Sequence, residues 1–435
     1  MQFNTSQIAN VTSGESFGDE KEVEGATQDS RQVQPGCLFV PLISERDGHS
    51  YIDEAVESGA AAYLTQQEPR EGASIRVDNT SRALTSLGKA ARFSTDALVV
   101  GVTGSVGKTS VKDMTKAVLG QKGKVHASFN SYNNEIGVPL TLLNAPDDSE
   151  FLVLEMGARK EGDIAELCEI AYPDIGVITT VAESHTEVFG SIDSISNTKG
   201  EILDRLPIEG CAVLNADVEQ VTRQSPRTRA RKLTFGDLGE IRATSTKFDE
   251  NLKPSFLLNT PWGRAKVELN IAGEQMISNA LASAAVGLAA GLSLDSVVEG
   301  LSNVELSPLR MEITTTSQGV TVINDTYNAN PTSMKAAIKS LASLPYSGAK
   351  IAYLGVMAEL GDRSSNAHLE VKEYAEELGV EVVAVATELY GDSRVLELEE
   401  VLSEIEKKNL GKDDALLFKA SRIVGLEKVA RKIIT

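Results

Sequence analysis

Ala97-Leu98-Val99-Val100-Gly101-Val102-Thr103-Gly104-Ser105-Val106-Gly107-Lys108-Thr109-Ser110 is the stretch that decides how this chain folds. Residues 97–103 form a continuous apolar run, as a strand covered on both faces requires, and a helix is predicted from about Lys108 after a Gly-rich turn. In such a turn successive backbone N–H groups cradle phosphate oxygens, and the helix N-terminus adds its positive end. Lys108 then reaches the terminal phosphates, and the Thr109 hydroxyl ligates Mg²⁺. The general spacing G-x-x-x-x-G-K-[ST] asks for glycine at position 102, where this chain carries Val102. The cradle is therefore a variant, Gly104-Ser105-Val106-Gly107-Lys108-Thr109, continued by Ser110. A chance Gly-Lys-Thr turn is the competing reading, and the order strand, glycines, helix weighs against it. A nucleotide site alone does not separate motors, kinases and ligases.

Outward from this loop the pattern repeats. Buried-type strands are expected at 151–155, 175–180 and 212–214, with helical stretches between them, which argues a parallel sheet with helices on both faces. A β-rich excursion is expected at 255–271, followed by an Ala-rich helix over 278–290. Upstream, residues 37–41, 51–58 and 61–65 read as strand, amphipathic helix and strand, a small α/β unit. Downstream, strands at 321–325, 350–354, 381–385 and 415–418 alternate with helices, a second α/β sheet. Because a single core rarely grows past roughly 250–300 residues, a chain of 435 divides into two or three domains. The expected divisions are 1–95, 96–309 and 310–435.

Composition narrows the partners. With 62 acidic against 42 basic residues, the net charge is −20, which opposes nucleic acid and anionic lipid and requires any nucleotide site to supply its own Lys, Arg and metal ions. The same charge also serves plain solubility. Three dispersed cysteines form no disulfide framework or zinc pattern. The N-terminus is polar, with no apolar signal segment, and no run approaches the ~18–20 apolar residues that span a bilayer. The expectation is a cytoplasmic chain with no membrane insertion, monomeric by default.

Three further residues stand where ligands gather in an open α/β sheet. Glu155 ends the strand Phe-Leu-Val-Leu-Glu, at the crevice edge, and suits a Mg²⁺ ligand; a solvated strand-end acid is the plainer reading. His185 lies just past another strand, and a neutral imidazole coordinates metals; a loop histidine bonded to backbone remains open. Lys199 sits on a helix expected to start at the N-cap Ser191, where a solvated surface cation is the ordinary reading.

The remaining motifs narrow the reaction. GVTGSVGKT, NNEIGVPLTLL (133–143), EMGA (155–158), SHTEVFGS (184–191), NTKGEI (197–202) and MISNALAS (276–283) resemble the Mur ligase family. NDTYNANPTSMKAAI (324–338), LGVMAELGDR (354–363), LFKASR (417–422) and the N-terminal DSRQVQPGCLFVPL with DGHSYI resemble the family type that adds D-alanyl-D-alanine. The resemblance runs along essentially the whole chain in one order. It implies a three-domain α/β fold: a small N-terminal UDP-binding domain, a central P-loop parallel sheet and a C-terminal Rossmann-like domain.

What the resemblance implies for individual residues follows position by position. Lys108 grips the ATP phosphates; Thr109 and Glu155 hold one Mg²⁺; His185 holds a second together with a CO₂-derived carbamate on Lys199. Such a carbamate turns Lys199 from cation to anion. Asn279 bonds adenine, Arg310 the γ-phosphate and Asp325 the ribose, while Tyr327, Asn328 and Asn330 line the junction of the second and third domains. Ser30 and Arg31 meet the UDP end of the substrate, and Asn134 sits near the muramoyl peptide. The implied reaction joins D-alanyl-D-alanine to UDP-N-acetylmuramoyl-tripeptide through an acyl phosphate, at the expense of ATP. Val356, Ala420, Ala182 and Ser184 depart from the family's usual Asp, Gly, Gly and Ala. Another ligase of the family with a different acceptor, a non-catalytic nucleotide binder and a P-loop motor are the rival readings.

Overall fold

The computed structural model describes residues 2–182 and 189–434 and is α/β throughout. Its central sheet has six parallel strands in the order Arg231–Phe235, Cys211–Asn215, Ile175–Ile178, Leu98–Thr103, Phe151–Glu155, Val125–Ala127. Leu98–Thr103 lies in the middle, and the chain leaves it first toward one edge and later toward the other. That reversal opens a crevice at the strand's C-terminal end, where ligands bind in open α/β sheets.

Side-chain alternation builds both faces. Val100 and Val102 pack with Val111, Met114 and Val118 of the helix Lys108–Leu119 and with Ala280 and Ala284 of the helix Gln275–Ala289. Val99, Leu152 and Leu154 pack oppositely, with Ile164 of Asp163–Ala171 and with Ile195 and Ile202 of Ile192–Asp204. Fully burying each such valine or leucine is worth about 1.5–3 kcal/mol. On this second face Gly101 has a packing reason: a Cβ there would stand 3.1 Å from Ile202 Cδ1 and 3.2 Å from Met156 Sδ. The absent side chain lets the helix Ile192–Asp204 lie close against the strand that feeds the phosphate loop. Ser191 caps that helix as the sequence predicts, accepting from Ser194 N.

The N-terminal sheet has the order Glu15–Phe17, Ser74–Arg76, Ala62–Thr65, Leu38–Phe39, Ala26–Thr27, parallel except for the first pair. The expected strand over 37–41 is shorter, since Pro41 lacks the N–H that would extend the ladder. The helix Thr80–Phe93 then carries Ala83, Leu84, Leu87 and Ala91 into the same apolar cluster as Leu140 and Leu167 of the central unit.

After the excursion, now seen as a three-stranded antiparallel sheet (Arg242–Phe248, Pro254–Thr260, Gly263–Glu268), comes the last sheet. Its order is Glu312–Thr315, Thr321–Asn324, Ala415–Lys419, Lys350–Leu354, Glu381–Val385, Arg394–Leu396. Only Glu312–Thr315 is antiparallel. Met334, Ala337 and Leu354 of this unit share one buried cluster with the central helices, so apolar contact as well as the chain joins the two units. Among the described residues no helix is long and apolar enough to cross a membrane.

Candidate active site: a phosphate cradle facing a second sheet

The phosphate loop forms where the sequence places it, and its geometry follows from its glycines. Gly107 caps the helix Lys108–Leu119 at φ 89°, and Gly104 stands at φ 145°, both in the region that favours glycine. Space forbids a side chain as well: a Cβ on Gly107 would lie 2.7 Å from Asn279 Oδ1, and one on Gly104 2.0 Å from Thr179 Oγ1. Thr179 donates to Val106 O at 2.6 Å, and Ser105 Oγ donates to Ala182 O at 2.8 Å, so neighbouring strands brace the loop. Ala182 acts there through its backbone, which explains why its departure in side chain leaves the loop intact.

The loop borders a cavity of about 660 Å³ lined by residues of the N-terminal, central and last units. Lys108 Nζ faces it and donates to Gly104 O at 2.8 Å. The surrounding protein pulls the Lys108 amine below the usual lysine range; Glu155 opposes this and Arg310 adds to it. Glu155 is 1% exposed. Its Oε1 accepts from Asn133 Nδ2 at 2.8 Å, while its Oε2 is buried with no hydrogen-bond partner among the described residues. Leaving a buried carboxylate oxygen unpaired costs about 1–3 kcal/mol or more, so the cavity is built around something that completes it.

Lys199 lines the same cavity at 3% exposure, brought there by the close approach at Gly101. Burial, reinforced by the nearby Lys108 cation, lowers its amine to about 7. The solvated-cation reading of Lys199 is thus replaced by a buried amine that is substantially neutral near physiological pH. His185 lies outside the described residues, as does Ser184.

The opposite wall comes from the last sheet and the segment that precedes it. Arg310 reaches across, its Nη2 donating to Thr109 Oγ1 at 3.0 Å and its guanidinium lying 3.9 Å from the Tyr327 ring centroid. Asn279, Asp325, Tyr327, Asn328 and Asn330 all line the cavity, as do Ser105, Val106, Ser110 and Asn134. The Asn330 side chain is already committed: it caps the helix Pro331–Ser343 by accepting from Ser333 N at 2.9 Å. Asn134 likewise accepts from Gly137 N at 3.0 Å.

Ser30 and Arg31 do not line this cavity. Ser30 Oγ donates to Glu54 Oε2 at 2.9 Å, and the exposed Arg31 pairs with Asp29 at 2.7 Å. Gln28, two residues before, does line it. Sequence reasoning singled out neither Gln28 nor Lys419. Lys419, inside the LFKASR motif but given no role there, ends an apolar strand; it is 2% exposed and bound to Asp325 Oδ2 at 2.5 Å. Of the departures, Ala420 is fully buried and fits because it faces Gly355, where a Cβ would stand 2.7 Å from its own. Val356 does not line the cavity.

A strand-loop-helix phosphate cradle, a buried carboxylate with a free oxygen, and a second α/β sheet supplying Arg310 across the gap define a class: an enzyme that uses a nucleoside triphosphate between two units. Residues 102–287 match the Mur ligase middle domain and residues 309–430 the Mur ligase glutamate ligase domain. The UDP-N-acetylmuramoyl-tripeptide--D-alanyl-D-alanine ligase of Bacillus subtilis is 35% identical, over 95% of this chain and 93% of its own. That of Escherichia coli is 33% identical, over 98% and 97%. Among solved structures, MurF from Acinetobacter baumannii superposes with a TM-score of 0.90 at 28% identity, covering 100% of this chain and 99% of that one. The Thermotoga maritima MurF ligase in complex with ADP gives 0.83 at 30% identity, covering 94% and 97%. The chain belongs to the Mur ligase family, in its UDP-N-acetylmuramoyl-tripeptide--D-alanyl-D-alanine ligase branch.

Proposed function

We propose that the chain joins D-alanyl-D-alanine to UDP-N-acetylmuramoyl-tripeptide in the cytoplasm, with ATP converting the peptide carboxylate to an acyl phosphate. Family membership makes it an ATP-dependent acid–amino-acid ligase of peptidoglycan precursor synthesis. The observation that carries the chemistry is the single cavity in which Lys108 and Thr109 face Arg310 and Asp325, with Gln28 and Asn134 at the same space. Three units, 1–95, 96–309 and 310–435, thus bring carboxylate, nucleotide and amine together. We take the monomer as the working form.

The residues suit a divalent cation. Thr109 Oγ1 and the partnerless Glu155 Oε2 are hard oxygen donors for Mg²⁺, although among the described residues no group of three or more His, Cys, Asp and Glu stands together. His185 and a carbamate on Lys199 are the proposed holders of a second Mg²⁺. An amine near 7 is neutral often enough to add to CO₂, and the resulting anion suits a site next to Lys108. Bound Mg²⁺ supplies charge neutralisation for the transferring phosphoryl group.

The remaining chemistry falls to the chain's own groups. Lys108 and Arg310 hold the phosphates, Asn279 meets adenine and Asp325 the ribose; Tyr327, Asn328 and Asn330 line the amine's approach. Oxygen of the tripeptide carboxylate attacks the γ-phosphorus and ADP leaves. The dipeptide nitrogen attacks the carbonyl carbon, the C–O bond to phosphate breaks, and the nitrogen loses a proton. Enclosure between two sheets excludes the water that would hydrolyse the acyl phosphate. Ser30 and Arg31, outside the cavity, are the proposed contacts for the UDP end of the substrate. Product mass after incubation with UDP-muramoyl tripeptide, ATP, Mg²⁺ and a panel of amine acceptors tests the assignment. D-alanyl-D-alanine should give the dominant amide; a faster single amino acid would point to another member of the family.

A further inference from the structure

Lys419 is a buried cation with no part in the reaction as written above. It is the last residue of the strand Ala415–Lys419 and borders the cavity, yet it is 2% exposed. Its ammonium has three protons and three acceptors: Asp325 Oδ2 at 2.5 Å, Asn328 O at 2.9 Å and Asp325 O at 3.3 Å. Burial lowers the Lys419 amine, and Asp325 works against that lowering.

A lysine is costly in such a place. A methionine would fill the same volume without the desolvation penalty, and replacing buried ion pairs by apolar groups is often neutral or stabilising. What the ammonium adds is a fixed address for the turn 325–328. That turn presents Asp325, Tyr327 and Asn328 to the cavity, and Tyr327 in turn supports Arg310 at 3.9 Å. The backbone holds the turn at two points, Asp325 N donating to Phe418 O at 3.0 Å and Tyr327 N to Leu309 O at 3.3 Å, while the far end at Asn328 O is held by Lys419 at 2.9 Å. The Asp325 carboxylate has Met311 N on Oδ1 at 3.2 Å and Lys419 on Oδ2, which fixes its plane and leaves lone pairs toward the cavity.

We propose that Lys419 is a positioning residue for the nucleotide: it clamps the turn 325–328 so that Asp325 meets the ribose hydroxyls and Arg310 stays aligned. The inference rests on the reading of Asp325 as the ribose-binding carboxylate, and the test separates the two. Steady-state KM and kcat are measured on the full chain with ATP and with 2′,3′-dideoxy-ATP, for the wild type, Lys419→Met and Lys419→Arg. A lost hydrogen bond to a charged group corresponds to about 10–100-fold in binding, so the wild type should favour ATP by about that factor. Lys419→Met should raise KM for ATP about tenfold with kcat changed less than about threefold, and its preference for ATP over the dideoxy nucleotide should collapse toward one. Lys419→Arg keeps the charge and protects against simple unfolding. Its planar fork does not reproduce three bonds from one point, so it should shift the same way to a smaller degree. Urea midpoints check folding of each. If both variants keep the wild-type preference, the clamp is purely structural and the proposal is overturned. If the wild type itself does not distinguish the two nucleotides, the ribose reading of Asp325 falls, and the proposal with it.

Discussion

At the scale of single residues, burial rather than sequence spacing does most to define the chemistry. Lys199 reads as a surface lysine because helices carry many; only the packing at Gly101 reveals that its amine is buried and near 7. The pH consequence has a definite sign. Between about 7 and the ordinary lysine range the unfolded chain holds a proton that the folded one lacks, so stability rises with pH across that interval. In CO₂-free buffer, urea titrations should show the wild type gaining on Lys199→Met between pH 7 and pH 9; parallel curves would mean that Lys199 stays charged. The same variant should lose about 10²–10³ in kcat, the usual penalty for removing one electrostatic stabiliser of a transition state. Glu155 was legible as a strand-end carboxylate, but its orphaned Oε2 was not, since pairing depends on Asn133 from a distant loop. Lys419 was hidden for the same reason: its three acceptors lie about ninety residues away in sequence.

At the scale of elements, the phosphate loop was the most legible part, because strand, glycines and helix are contiguous and each has a local cause. The parallel strands also announced themselves, Phe151–Glu155 and Lys350–Leu354 residue for residue, since both faces are covered and the apolar run is unbroken. The antiparallel edges did not. Arg242–Phe248 is mostly exposed and polar, and Glu312–Thr315 is only half-buried, so neither carries the apolar signal that marks a strand. The close approach at Gly101 yields a sharp expectation. Gly101→Val should push the helix Ile192–Asp204 off its strand, cost about 1–3 kcal/mol by urea denaturation, and lower kcat through the displaced Lys199 more than it raises KM for ATP. A variant with unchanged kcat would separate that packing from catalysis.

At the scale of the whole molecule, the contacts between units differ in kind, and so should their weights. Asn144 of the central unit pairs with the N-terminal edge strand like a strand residue: its Nδ2 donates to Ala26 O at 2.8 Å, and its Oδ1 accepts from Ala26 N at 3.1 Å. Ala26 is 5% exposed, so Asn144→Ala strands two backbone groups and should cost about 1–3 kcal/mol. The ion pair between Glu274 and Lys339, which spans the central and last units at 2.5 Å, has both side chains about half exposed; Lys339→Ala should change stability by less than about 0.5–1 kcal/mol. One set of urea titrations compares the two, and an equal loss from both would reverse the ranking. Family motifs made the three-unit order legible, but no motif states which side chains cross between units, because those contacts form only once all three have folded. The claim that unites the units is that this cavity phosphorylates a carboxylate before an amine captures it. Its most direct test is to supply UDP-muramoyl tripeptide with ¹⁸O in the terminal carboxylate, together with ATP, Mg²⁺ and D-alanyl-D-alanine, and to weigh the inorganic phosphate released. One ¹⁸O atom per phosphate is the predicted result; phosphate free of label alongside amide product would contradict the account.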